Sequence, residues 1–271
     1  MSNLFMRALS GGGVVLCVLG GVIWGGRVWF AIACVAALLS LSEYYKLLAS
    51  QASQVRVSRG IGYVSAIAVM LAASGRPRPI SIAMILSLAV FAVFMVEIVR
   101  RQTSGVSRAV SNAGGTVSGI LFVVVPWACL VMLGSLPTGR LVLFSLFACT
   151  WSCDVAAYLI GAAWGRYLLC DKVSPKKTWE GFIGGALGSI LMIALIIFYR
   201  DQPPFPLLTV GVICALAGQF GDLAESLLKR ECGAKDSGRL IPGHGGMLDR
   251  FDSVLVNGLL TYMVFGAVGS V

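Results

Sequence analysis

The sequence predicts an all-α, polytopic integral membrane protein with about nine transmembrane helices. Two observations predict it. Of 271 residues, 58% are hydrophobic and only 12% charged, about half the roughly 25% charge of a soluble domain. The apolar residues also fall into runs close to the ~20 residues a helix needs to cross the hydrocarbon layer. Short basic or Gly/Pro-rich breaks part these runs.

The first span, 11–26, follows Arg7 and ends at Gly25-Gly26-Arg27. It superficially resembles a signal peptide, but no A-x-A-like cleavage site is evident and more spans follow. It therefore reads as a retained transmembrane helix. The second, 28–45, ends at Lys46, and Arg56 and Arg59 precede the third, 61–75. Arg76 and Arg78 part it from the fourth, 80–98, which stops before Arg100-Arg101. The fifth, 116–136, follows Arg108, and the sixth, 140–163, begins at Arg140. The seventh, 181–199, ends at Arg200; the eighth and ninth are 206–226 and 253–270. Residues 1–138 hold spans one to five. Residues 139–271 hold spans six to nine and the loops that carry the chemistry. The Gly184-Gly185…Gly188 pattern reads as close helix packing.

Nine spans sort the charge. Sixteen Lys and Arg side chains fall on the face that holds Arg7, and five fall on the other. By the positive-inside rule the N-terminus is cytoplasmic and the C-terminus lies on the opposite side. The net charge of +9 is thereby explained by topology and anionic lipid, not by nucleic acid. The eight cysteines are scattered, mostly within apolar runs and without a CxxC pair, so neither a zinc site nor a disulfide framework is expected.

Acidic residues are uneven. Only Glu43 and Glu97 precede residue 150, and the other ten lie between Asp154 and Asp252. Carboxylates at membrane depth cost several kcal/mol unless paired or wetted, so they mark function. Asp222 lies near the end of span eight. Asp249 and Asp252 are at i and i+3, on one helix face. Converging carboxylates repel one another, and a divalent cation would relieve this; oxygen ligands suit Mg2+. Lys229, Arg230, Lys235, Arg239 and Arg250 supply more positive charge than those carboxylates need, which suits a polyphosphate. Pro242-Gly243-His244-Gly245-Gly246 precedes the last helix, where glycines let backbone N–H groups approach an anion and the helix start would face a phosphate. Glu225 and Glu231 are at the spacing to pair with Lys229 and Arg230. A second cluster, Ser174-Pro175-Lys176-Lys177-Thr178-Trp179-Glu180-Gly181, sets two lysines beside Trp179, an interfacial anchor. Asp154, deep in span six, calls for a basic partner from the charged cluster.

Ser226-x-x-Lys229-Arg230, Lys235-Asp236 and Pro242-Gly243-His244-Gly245-Gly246-x-x-Asp249-Arg250-x-Asp252 closely resemble the signature of the phosphatidate cytidylyltransferase (CDP-diacylglycerol synthase) family. The Ser174–Gly181 segment and Asp154-x-x-Ala157-Tyr158 resemble two further segments. The matches run from Asp154 to Asp252. The resemblance implies the reaction of CTP with phosphatidate to give CDP-diacylglycerol and pyrophosphate. It also implies Mg2+, with a monovalent cation such as K+ as a further candidate, a homodimer, and the inner membrane of a bacterial cell.

The nucleophile, a phosphate oxygen, is already anionic, so catalysis rests on positioning and charge. On this reading Asp222, Asp249 and Asp252 hold the metal. Lys229, Lys235, Arg239 and Arg250 neutralise the triphosphate and the leaving pyrophosphate. Asp236 orients a neighbouring cation or the metal. His244 with Gly243, Gly245 and Gly246 contacts phosphate. Lys176, Lys177 and Arg230 face the lipid phosphate, with Asp154 beside them. Two other functions fit the charge cluster: a CTP-dependent lipid kinase of the polyprenol or phytol type, and a transporter of a phosphorylated solute.

Overall fold

The structure is a computed structural model that describes residues 3–50, 55–75, 79–200, 204–243 and 245–267. It is almost entirely helical. Helices α1 (Asn3–Trp24), α2 (Gly26–Leu48), α3 (Arg59–Ser74) and α4 (Pro79–Ser104) come first. Helices α5 (Ala109–Gly119) and α6 (Val125–Gly134) join through a π-helical turn, Ile120–Val124. Pro126 in the first turn of α6 cannot donate a backbone hydrogen bond, and the widened turn just before it accommodates that loss. Helices α7 (Gly139–Trp164), α8 (Trp179–Arg200), α9 (Pro204–Glu231) and α10 (Leu248–Ala267) complete the bundle.

Among the described residues, six helical segments are long and apolar enough to cross a membrane: α2, Ile82–Ser104 of α4, the α5–α6 rod, α7, α8 and Phe205–Glu231 of α9. Two shorter apolar stretches, Ser10–Trp24 and Arg59–Ser74, accompany them. A helix also occupies the position of the last predicted span, but its first five residues include Asp249, Arg250 and Asp252. The short break predicted between the first two spans is present. Gly25 and Gly26 both adopt positive φ, 65° and 48°, a conformation that ends a helix within one residue and favours glycine.

The core lies where α2, α6, α7 and α10 meet, and Trp29, Trp127, Tyr45 and Phe147 are its largest fully buried side chains. Trp29 meets Phe147 edge-on at 6.0 Å, and Trp127 meets Phe251 at 4.9 Å. Phe251 belongs to α10 and Trp127 to α6, so the charged start of α10 is fixed to the N-terminal half by aromatic packing.

The glycine stripe of α8 sets it against α7. A Cβ at Gly184 would come within 2.5 Å of Ile160, and one at Gly188 within 2.6 Å of Ala156. The small-residue pattern thus serves helix packing, as its spacing predicts. The short connection forced between two such close helices is a β-hairpin. β1 (Leu168–Cys170) and β2 (Ser174–Thr178) pair antiparallel, Leu168 opposite Thr178 and Cys170 opposite Ser174. This segment reads as a loop in the sequence, because strands of three and five residues carry no alternating pattern.

Candidate active site

The last turns of α9 carry Asp222, Glu225, Ser226 and Lys229 at i, i+3, i+4 and i+7, which places them on one helix face. The Ser226 hydroxyl donates to Asp222 Oδ1 at 3.2 Å. Lys229 Nζ donates to Glu225 Oε2 at 2.9 Å and to Asp249 Oδ1 at 2.7 Å. Glu225 is fully buried, with side-chain exposures of 12% for Lys229 and 7% for Asp249. The expected Glu225–Lys229 pair is therefore present and is shared with a second carboxylate.

Beyond α9 the chain turns at Gly233, φ 65°, and crosses to α10. Asp249 organises this crossing. Its Oδ2 accepts the Ser237 N–H at 2.9 Å, the Ser237 hydroxyl at 2.9 Å and the Gly246 N–H at 2.8 Å. Asp249 stands ahead of the apolar stretch that begins at 253. Burial alone would raise its carboxyl; the Lys229 ammonium and the N–H donors of Gly246 and Ser237 outweigh this and hold it below its ordinary value. Gly245 is at φ 83°, and a Cβ there would come within 2.7 Å of Asp249 Oδ2, so both backbone conformation and space require glycine.

Helix α10 has no local N-cap acceptor, since Gly245, Gly246 and Met247 carry none. Glu43 of α2 supplies one. Its Oε1 accepts the Met247 N–H at 3.0 Å and its Oε2 accepts the Leu248 N–H at 2.8 Å. The helix start thus differs from the expectation that it faces a phosphate. Its N–H groups from Gly246 to Leu248 are taken by Asp249 and Glu43, which complement its positive end.

The hairpin brings the second cluster to the same place. Lys177 Nζ pairs with Asp222 Oδ2 at 2.9 Å and donates to the Gln219 carbonyl at 3.2 Å. The hairpin is itself fixed to α8, because Glu180 accepts the backbone N–H of Arg166 at 3.1 Å and the Thr178 hydroxyl caps Gly181 N–H at 3.1 Å.

These groups open on one cavity of about 750 Å3, within the ~300–1,000 Å3 usual for a small-molecule site. Asp154, Asp222, Asp236, Asp249 and Asp252 line it together with Lys176, Lys177, Lys229 and Arg250. Gly11, Val14 and Val15 of α1 and Trp151 and Tyr158 of α7 give it an apolar side. Asp154 lines this space, and the charges that act on it are Asp252, Asp222, Lys177 and Arg250. Among the described residues no ion pair to Asp154 is formed; Lys177 and Arg250 act on it only through space.

The predicted cation surplus does not lie inside the cavity. Arg230, Lys235 and Arg239 do not line it. Arg230 donates to the Val173 carbonyl at 3.2 Å, bracing the hairpin. Gly243, Gly245 and Gly246 shape the loop behind Asp249 and do not line the cavity, and His244 lies outside the described residues. The lining therefore carries five carboxylates against four cations.

Among the described residues no three Asp, Glu, Cys or His side chains form a ready-made metal cage. Asp222 and Asp252 do fit a cation that draws its remaining ligands from phosphate: they share the cavity, repel one another and are joined there by Asp154. Several residues of the cluster were not among the predicted site residues: Glu225, Ser226 and Ser237, and also Glu43 and Gln219. Glu43 had a signal, a carboxylate within an apolar run. Gln219, whose amide donates to the Phe182 and Ala215 carbonyls at 3.0 Å each, had none.

Residues 5–268 match the cytidylyltransferase family. The chain is 44% identical over 138 residues to a protein of Brucella suis biovar 1 (strain 1330) named phosphatidate cytidylyltransferase, half of each chain being covered. It is 45% identical over 128 residues to a protein of that name from Synechocystis sp. (strain ATCC 27184 / PCC 6803 / Kazusa), covering 46% of this chain and 43% of that one. A Mycobacterium bovis (strain ATCC BAA-935 / AF2122/97) protein, also so named, is 32% identical over 273 residues, covering 94% of this chain and 85% of its own. The matched stretch thus spans about half the length of the first two relatives and most of the third.

Proposed function

The chain belongs to the cytidylyltransferase family, and on that premise we propose that it is a phosphatidate cytidylyltransferase of a bacterial inner membrane. It would convert CTP and phosphatidate to CDP-diacylglycerol and pyrophosphate. The observation that carries this is the cavity itself. Carboxylates and cations line one side and apolar side chains from α1 and α7 line another, as a site for a nucleotide and a lipid phosphate requires.

In the proposed reaction a phosphatidate oxygen attacks the α-phosphorus of CTP, and the bond to the β-phosphate breaks to release pyrophosphate. No strong base is needed, so the protein's work is alignment and charge compensation. Lys176 and Lys177 come from the hairpin and meet the lipid phosphate. Lys229 and Arg250 come from α9 and α10 and meet the triphosphate, and Arg230 holds the hairpin in place. Lys235, Arg239, His244 and the glycines of its loop are proposed to contact the phosphates, with Asp236 orienting a neighbouring cation or the metal.

Mg2+ would be held by Asp222 and Asp252, with Asp249 and the triphosphate oxygens completing its surroundings, and would neutralise phosphate charge. A lining with five carboxylates and four cations admits a polyanion poorly without added positive charge. K+ is a candidate for the remaining carboxylates. We further read the chain as nine spans with a cytoplasmic N-terminus and site, an opposite C-terminus, residues 139–271 as the catalytic part, and a homodimer.

Product analysis tests the reading. Purified protein with CTP, phosphatidate and Mg2+ should yield CDP-lipid and pyrophosphate. CDP with a phosphorylated lipid would instead identify a lipid kinase, and uptake into liposomes without turnover a transporter.

A further inference from the structure

Glu43 is only 4% exposed, sits 204 positions before Met247 and does not line the cavity. A buried carboxylate is costly unless its oxygens are satisfied, and a side chain that merely packed α2 against α10 would be apolar. Both oxygens of Glu43 are satisfied by the catalytic segment: Met247 N–H on one, Leu248 N–H and the Ser237 hydroxyl on the other. The space is reserved as well. A Cβ at Gly246 would overlap Glu43 Oε2 and Ser237 Oγ, and one at Gly238 would meet Glu43 Oε1.

The Ser237 hydroxyl links this anchor to the site. It lies 3.2 Å from Glu43 Oε2 and 2.9 Å from Asp249 Oδ2, and it accepts the Asp249 N–H at 3.3 Å. One hydroxyl hydrogen serves two carboxylates, so the position of each constrains the other.

We propose that Glu43 is a positioning residue of the N-terminal half: as a remote cap it fixes the start of α10 and, through Ser237, holds Asp249 against Lys229 at the cavity wall. The kinetic part of this proposal rests on the reading of the cavity as a nucleotidyl-transfer site. The anchoring part does not.

The test compares full-length wild type, Glu43→Gln, Gly246→Ala and the double variant, each purified in nanodiscs. Backbone hydrogen exchange over 237–250 is measured alongside kcat and KM for phosphatidate. Glu43→Gln keeps the shape but puts an amide donor against N–H groups, and Gly246→Ala displaces the carboxylate without removing it. Each single variant should exchange faster at 246–249, with the other helices protected as in wild type. Each should lower kcat on the order of 10- to 100-fold, the effect of a small misplacement of reacting groups, with KM for phosphatidate little changed. The double variant should be no slower than the slower single one, because both changes break the same contact. Wild-type exchange at 246–249 in Glu43→Gln, or losses of kcat that multiply in the double variant, would overturn the proposal. If wild type makes no CDP-lipid, the function fails separately and the exchange comparison alone decides the anchor.

Discussion

Replacing Lys229 with methionine removes the ammonium that stands between two buried carboxylates, and the structure sets the size of the effect. Asp249 keeps three other donors, from Ser237 and Gly246. Glu225 fares worse: it is fully buried, and once Lys229 is gone its charged neighbours are the Asp252 and Asp249 carboxyls. Removing one member of a buried pair costs about 3–5 kcal/mol, mainly from the charge left behind. We expect Lys229→Met to lose stability within that range. Adding Glu225→Gln removes the stranded charge and should restore about 2 kcal/mol, the scale of a hydrogen bond to a charged group. Equilibrium unfolding of the purified variants in mixed micelles, followed by circular dichroism, measures both. A loss below about 1 kcal/mol for Lys229→Met, the scale of an exposed pair, would refute the reasoning. So would a double variant less stable than Lys229→Met alone.

Other expectations concern the same cavity. The Lys177–Asp222 pair is partly open, with side-chain exposures of 23% and 38%, so Lys177→Gln or Asp222→Asn should change stability by less than about 1 kcal/mol. Each should nevertheless lower kcat/KM on the order of 100-fold, as loss of one charge-stabilising group does; steady-state kinetics beside thermal unfolding separates the two. Asp249 is held below its ordinary carboxyl value, so its stabilising contribution is complete above about pH 4 and is lost as pH falls through the lowered value. Unfolding measured across that range should show an acid limb that Asp249→Asn shortens.

The helices were legible because a bilayer demands long apolar runs, and no competing pattern obscures them. The Gly25-Gly26 break, the tight α7–α8 packing and the Glu225–Lys229 pair were legible for a similar reason: each is signalled by residues close in sequence. Asp222, Asp249 and Asp252 could be nominated because charge is rare in this chain. Their partners could not be assigned. The structure gives Asp249 to Lys229 and Ser237, and gives Asp222 to Lys177, through contacts between separate elements. The hairpin escaped notice because its strands have three and five residues. The capping of α10 by Glu43 was invisible for a deeper reason. A local cap announces itself beside the helix, whereas this one is supplied from another helix, and only the absence of an acceptor at 245–247 hinted that something distant was needed.

The central claim is that this cavity joins the α-phosphate of CTP to a lipid phosphate, and the fate of label tests it most directly. Purified protein is given phosphatidate, Mg2+ and CTP labelled on either the α- or the γ-phosphate. The account predicts that α-label enters the lipid fraction while γ-label appears in pyrophosphate, in equal molar amounts. Transfer of γ-label to lipid, or no label in lipid from either CTP, would contradict it.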